Sequence, residues 1–129
     1  MPKAPLISLV EDDDPFRGSL IKLLRSLGYA VEAFSSAADF LASRSLGETA
    51  CLITDIKMPA MTGRELCARL LELGHNIPTI LVTAYADDAM VSRASNDGVV
   101  CCLRKPFDDN DLADCVQRAL ERGKPSEKS

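Results

Sequence analysis

A chain of 129 residues, 47% hydrophobic and 26% charged, suits one globular domain with a real core. Its net charge of -4 excludes the basic footprint of a domain that grips nucleic acid by itself. The five cysteines (Cys51, Cys67, Cys101, Cys102 and Cys115) form no C-x-x-C pair and read as small core residues in a reducing compartment, not as a disulfide framework or zinc site. With no signal-peptide pattern and no apolar stretch of membrane-spanning length, a cytoplasmic location is expected.

In chain order, Leu6 to Val10 is almost entirely apolar, the mark of a strand buried on both faces. Asp14-Pro15 starts a helix, with the carboxylate as cap and proline in the first helical position. Phe16, Leu20, Leu23, Leu24 and Leu27 follow at helical spacing, and Gly28 stops it. Ala30 to Phe34 alternates around Glu32, predicting a more exposed strand, and a short helix follows over 37–42. Ala50 to Thr54 is a third strand. A helix over 63–73 turns Leu66, Leu70 and Leu71 inward and ends near Gly74. Pro78 to Val82 is a fourth strand, 87–96 a weaker helix, and Val99 to Leu103 a fifth strand. The last helix begins near Asp108 or Asp109 and buries Leu112, Cys115, Val116, Ala119 and Leu120. The domain is expected over 1–122, with 123–129 a polar tail or the start of a linker.

Alternating strands and helices predict a parallel sheet covered on both faces, with its site beyond the carboxyl ends of the strands. The unusual polar residues fall at those ends. Asp55 closes the apolar run Cys51-Leu52-Ile53-Thr54, where a carboxylate is costly unless paired or used. Glu11-Asp12, Thr83 and Lys105 close the first, fourth and fifth runs. Taken alone, Lys105 is a surface lysine, Thr83 a β-branched strand residue, and Asp55 a helix cap or structural partner of Lys105. Asp13 and Asp14 are a solvated helix start. Together, four segments supply an acid cluster, a hydroxyl, an amine and a nucleophile, a set suited to moving a phosphoryl group onto a carboxylate. Converging carboxylates call for a cation, and oxygen-only ligands suit Mg2+. His75, the single histidine, reads as a solvated loop residue. No Gly-rich phosphate loop and no G-x-S-x-G elbow occurs.

Four stretches carry a family resemblance. They are Leu9-Val10-Glu11-Asp12-Asp13, Thr54-Asp55-Ile56-Lys57-Met58-Pro59-x-Met61-x-Gly63, Val82-Thr83-Ala84 and Lys105-Pro106-Phe107. The chain resembles the receiver domain of two-component response regulators from about Leu6 to Leu120, and the FixJ subgroup most of all. The resemblance implies a flavodoxin-like (CheY-like) doubly wound α/β fold: five parallel strands in order 2-1-3-4-5 with five helices. It implies Asp55 as phosphoacceptor, with Mg2+ (or Mn2+) on Asp12, Asp55 and the backbone carbonyl of Lys57, and Glu11 acting through water. Thr83 and Lys105 would hold the phosphoryl oxygens. The implied donor is a sensor histidine kinase, a phosphotransfer protein or a small phosphodonor, and the phosphoprotein signals by switching a protein-interaction surface. The implied partner is a downstream protein or a C-terminal output domain, with no nucleic acid or membrane bound by this chain itself. It leaves room for a phosphorylation-dependent homodimer through the fourth helix, fifth strand and fifth helix. Such a domain catalyses only its own phosphorylation and dephosphorylation.

One position departs from the family pattern. Three residues before the lysine, where Phe or Tyr is usual, stands Cys102, and Tyr85 is the substitute ring the sequence offers. The alternative is a receiver-fold interaction module that signals without phosphorylation. An aspartyl-nucleophile phosphatase of the haloacid-dehalogenase type fits poorly, because it needs a second Asp at position 57, which is Lys.

Overall fold

The computed structural model describes residues 4–58, 60–84 and 99–123. Five strands run β1 (Leu6–Val10), β2 (Ala30–Phe34), β3 (Cys51–Asp55), β4 (Thr79–Thr83) and β5 (Val99–Arg104). They form one parallel sheet in the order β2-β1-β3-β4-β5. Helices α1 (Asp14–Ser26), α2 (Ala37–Leu41), α3 (Gly63–Glu72) and a C-terminal helix (Asp109–Gly123) connect or follow them. The helix expected over 87–96, and Tyr85, lie outside the described residues.

β3 and β4 are buried at every position, as continuous apolar runs in a parallel sheet require. Successive side chains then feed two different cores. Ile7, Leu9, Cys51, Ile53, Ile80 and Val82 pack beneath α1 and the C-terminal helix, with Leu20, Leu24, Leu112 and Val116. Val10 and Leu52 face the other way, against Phe40 of α2 and Leu66 and Leu70 of α3. The edge strand β2 is the more exposed one that its sequence predicts, with Ala30 and Glu32 exposed and Val31, Ala33 and Phe34 half-buried.

Local chemistry sets the helix ends. Asp13, not Asp14, caps α1: its Oδ2 accepts from the Phe16 N–H at 2.9 Å. A cap oxygen reaches the amide two or three residues on, which leaves Asp14 inside the first turn to pair with Arg17. Thr62 and Glu65 form a reciprocal capping box at α3. Gly28 (φ 96°) and Gly74 (φ 85°) take the left-handed turn that ends α1 and α3.

Two apolar placements differ from the sequence reading. Leu27 and Leu71 are 41% and 46% exposed. Leu66, Cys67 and Leu70 already fill the inward stripe of α3, and Leu71 stands one residue's rotation beyond it. Leu27 is the last residue before the Gly28 turn, where α1 has left the sheet. A 3-10 turn over Arg44–Glu48, capped by Ser43, was not legible because its sequence lacks helical periodicity.

Candidate functional site

The sheet ladder carries on past its last strand residues and fixes the backbone of the site. The Glu11 amide donates to Phe34 O at 3.0 Å, Ile56 to Val82 O at 3.0 Å, and Lys105 to Thr83 O at 2.7 Å. Glu11, Asp55, Thr83 and Lys105 are thereby held at the carboxyl ends of β1, β3, β4 and β5, beside the switch in strand order.

Glu11, Asp55 and Thr83 are buried. Lys105 Nζ lies 3.3 Å from Asp55 Oδ2 and 3.5 Å from Glu11 Oε1. The other oxygens are used too: the Lys57 amide donates to Asp55 Oδ1 at 3.3 Å, and the Asp13 amide to Glu11 Oε2 at 3.0 Å. Burial pushes the Glu11 carboxyl above the usual carboxylate range, and the Asp55 charge adds to it. The Asp13 amide and the Lys105 ammonium pull against that shift without cancelling it. Carboxylate oxygens of both Glu11 and Asp55 thus face the Lys105 ammonium.

Glu11, Asp12 and Asp55 each offer a carboxylate oxygen, and these oxygens lie within 4.8 Å of one another. Three hard oxygen donors, one of them exposed, fit a small divalent cation that keeps part of its water. Soft-metal chemistry has no comparable set among the described residues. The Lys57 amide reaches Asp55 across a tight turn, which puts the backbone of position 57 beside the same carboxylate.

Two residues were given no role in the site by sequence reasoning, although Gly63 stands in the family motif. The Phe16 ring, expected only as core, has Lys105 Nζ 4.0 Å above its centroid. Gly63 comes so close to β3 that an added Cβ would stand 2.5 Å from the Asp55 carbonyl oxygen. Its amide donates to Ile56 O at 2.8 Å. An aromatic in the first turn after an acidic run was the available signal for Phe16. A glycine in the first position of a capped helix was the signal for Gly63.

Cys51, Cys67 and Cys115 are buried, as expected of core residues, whereas Cys101 and Cys102 are half-buried; all five are free thiols. Burial pushes Cys51 and Cys115 up to about 12, reinforced in both by neighbouring sulfurs. Cys102 packs against Ile56, Cys67, Leu81 and Val99, while Cys101 belongs to the opposite face of the sheet. His75 is half-buried, and its amide donates to Leu70 O at the end of α3.

A family profile described as the response regulator receiver domain matches residues 7–117. The chain is a response regulator receiver domain. Nodulation protein W of Bradyrhizobium diazoefficiens is 40% identical over 117 residues, which is 91% of this receiver and 52% of that protein. Transcriptional regulatory protein FixJ of Rhizobium meliloti is 37% identical over 115 residues, covering 89% and 56%. The receiver therefore spans about half the length of the curated relatives it matches. Among solved structures, FixJ-N superposes with a TM-score of 0.83 at 35% identity, covering 93% of this chain and 96% of that one. A CheY-like receiver from Methanospirillum hungatei JF-1 gives 0.85 at 28% identity, covering 94% and 97%. The flavodoxin-like strand order 2-1-3-4-5 is the one the receiver resemblance implied. Among the described residues no helix is long and apolar enough to cross a membrane.

Proposed function

We propose that this receiver accepts a phosphoryl group on Asp55 from the phosphohistidine of a sensor histidine kinase or phosphotransfer protein, or from a small acyl phosphate. The observation that carries this reading is a buried carboxylate 3.3 Å from a largely buried ammonium, beside two further carboxylates. An Asp55 oxygen attacks phosphorus in line, and the opposite bond breaks with its electron pair leaving on the imidazole or the carboxylate of the donor. Asp12, Asp55 and the Lys57 carbonyl would hold Mg2+ or Mn2+, with Glu11 acting through water. When bound, the cation neutralises charge that builds on the phosphoryl oxygens. The Lys105 ammonium passes from the Asp55 carboxylate to a phosphoryl oxygen, and the Thr83 hydroxyl bonds another.

The domain acts once on itself, as phosphoacceptor rather than as an enzyme with a separate substrate. Its acyl phosphate hydrolyses, so the signal decays. Drawing Thr83 and Lys105 inward shifts the segments after β4 and β5 and changes which partner their surface prefers. That partner is a downstream protein, an output domain or a second copy of the chain. Residues 1–122 are the receiver and 123–129 a tail or linker, and the domain works in the cytoplasm. Cys102 favours a second reading, an interaction module independent of phosphorylation, because a small thiol packed among Ile56, Cys67, Leu81 and Val99 cannot swing as a ring would.

Intact mass after incubation with acetyl phosphate and Mg2+, beside Asp55→Asn, tests the choice. A single phosphoryl adduct on the wild type, absent from the variant and abolished by EDTA, is expected. No adduct under these conditions would overturn the first reading in favour of the second.

A further inference from the structure

The Lys105 ammonium sits among three neighbours. Two are carboxylate oxygens, at 3.3 Å (Asp55) and 3.5 Å (Glu11). Both distances exceed the range of a short charge-assisted bond. The third neighbour is the Phe16 ring, 4.0 Å from centroid to Nζ. The Lys105 side chain is 20% exposed and its carboxylate partners are 2% and 12% exposed.

The ring is held in place from several sides. Phe16 lies in the first turn of α1, and its amide is fixed by Asp13. Helical side chains lean back over the preceding turn, which directs this ring toward the strand ends. Arg17, the next residue, ties α1 to the Glu11 carbonyl at 2.8 Å. Phe107, two residues after Lys105, meets Phe16 edge to face, with centroids 6.0 Å apart and planes at 78°. Both rings pack against the core under α1.

The geometry points to Phe16 as the positioning residue for Lys105. The aromatic face attracts the ammonium electrostatically yet carries no charge, so it seats the lysine without competing for it. A third carboxylate there would hold the ammonium back from an incoming phosphoryl oxygen. An aliphatic side chain would bury similar area but leave that side of the ammonium without an electrostatic partner. This inference rests on the role assigned to Lys105 under Proposed function.

The test measures initial rates of phosphorylation against acetyl phosphate concentration at saturating Mg2+, read by intact mass, for Phe16→Leu, Phe16→Tyr, Lys105→Ala and Phe16→Leu/Lys105→Ala. Phe16→Leu is expected to lower the maximal rate about 3- to 10-fold, in keeping with the attraction of an ammonium for a ring face, with little change in the half-saturating concentration. Phe16→Tyr, which keeps the ring, should come back to within about twofold of wild type. In the Lys105→Ala background, Phe16→Leu should cost nothing more, because the ring then has no ammonium to seat. A normal rate for Phe16→Leu beside a slow Lys105→Ala overturns the inference alone. Equal losses in the Leu and Tyr variants, or a further loss in the double variant, assign the ring a packing role and also overturn it. A normal rate for Lys105→Ala removes the role given to Lys105, and the inference falls with it.

Discussion

Replacing Gly63 by alanine perturbs the site through a single methyl group. The new Cβ would stand 2.5 Å from the Asp55 carbonyl oxygen, 3.1 Å from Ile56 Cα and 3.2 Å from Asp55 C. Ordinary contact begins at 3.4 Å, so the closest approach is short by about 0.9 Å. These three nearest atoms are all backbone, so no side-chain rotation relieves the clash. Either α3 retreats from β3 or the peptide after Asp55 tilts, and both stretch the Gly63 amide bond to Ile56 O. Overpacking of this kind costs about 1–3 kcal/mol, and a weakened hydrogen bond adds about 1 kcal/mol. For a chain of this size the melting temperature should fall by about 10 °C. The same displacement moves the Asp55 carboxylate relative to Lys105, so acetyl phosphate labelling should slow by about tenfold or more. Gly18, inside α1, is the control: an added Cβ meets nothing within 4 Å. Gly18→Ala should raise stability by about 0.5–1 kcal/mol and leave labelling unchanged. A Gly63→Ala protein that melts and labels like wild type would refute the close-contact argument.

Glu11 holds its proton to a higher pH when folded than when unfolded, so the native state binds more protons just above the ordinary carboxylate range. Stability therefore falls as pH rises through that window, and Glu11→Gln should flatten the fall and raise the neutral-pH melting temperature in EDTA. Thermal scans from pH 4 to 7 check this, and the same variant should gain less from added Mg2+. Thr62→Ala removes one arm of the α3 capping box and should cost about 1 kcal/mol by urea denaturation. Cys51 and Cys115, both pushed up to about 12, should resist iodoacetamide at pH 8 in the native protein and react once it is unfolded, as peptide mass mapping would show.

What was legible in the sequence was whatever burial forces into view. Continuous apolar runs announce buried parallel strands, so a carboxylate at Asp55 stands out against them, whereas Lys105 gains meaning only beside it. The strand order and the roles of these residues came from the resemblance. The cap of α1 was off by one residue, because Asp13 and Asp14 are chemically equivalent and only amide geometry separates them. The inward reading of Leu71 failed because periodicity gives a stripe but not its width. The seat of Lys105 on Phe16 joins residues 89 positions apart, and the helical position of Phe16 does not name its partner; Gly63 was visible as a motif glycine, but its approach to β3 is set by packing.

The amides of Glu11, Ile56 and Lys105 donate into the sheet beyond its last paired residues. Their hydrogens should therefore exchange with solvent as slowly as those of the sheet interior, although the groups they carry meet the water at its edge. To loosen the backbone of its nucleophile the molecule has to open the end of the sheet, whereas side chains and the segments beyond the strands stay free to shift. The entropic cost of assembling the reacting groups is met when the chain folds, before any donor arrives.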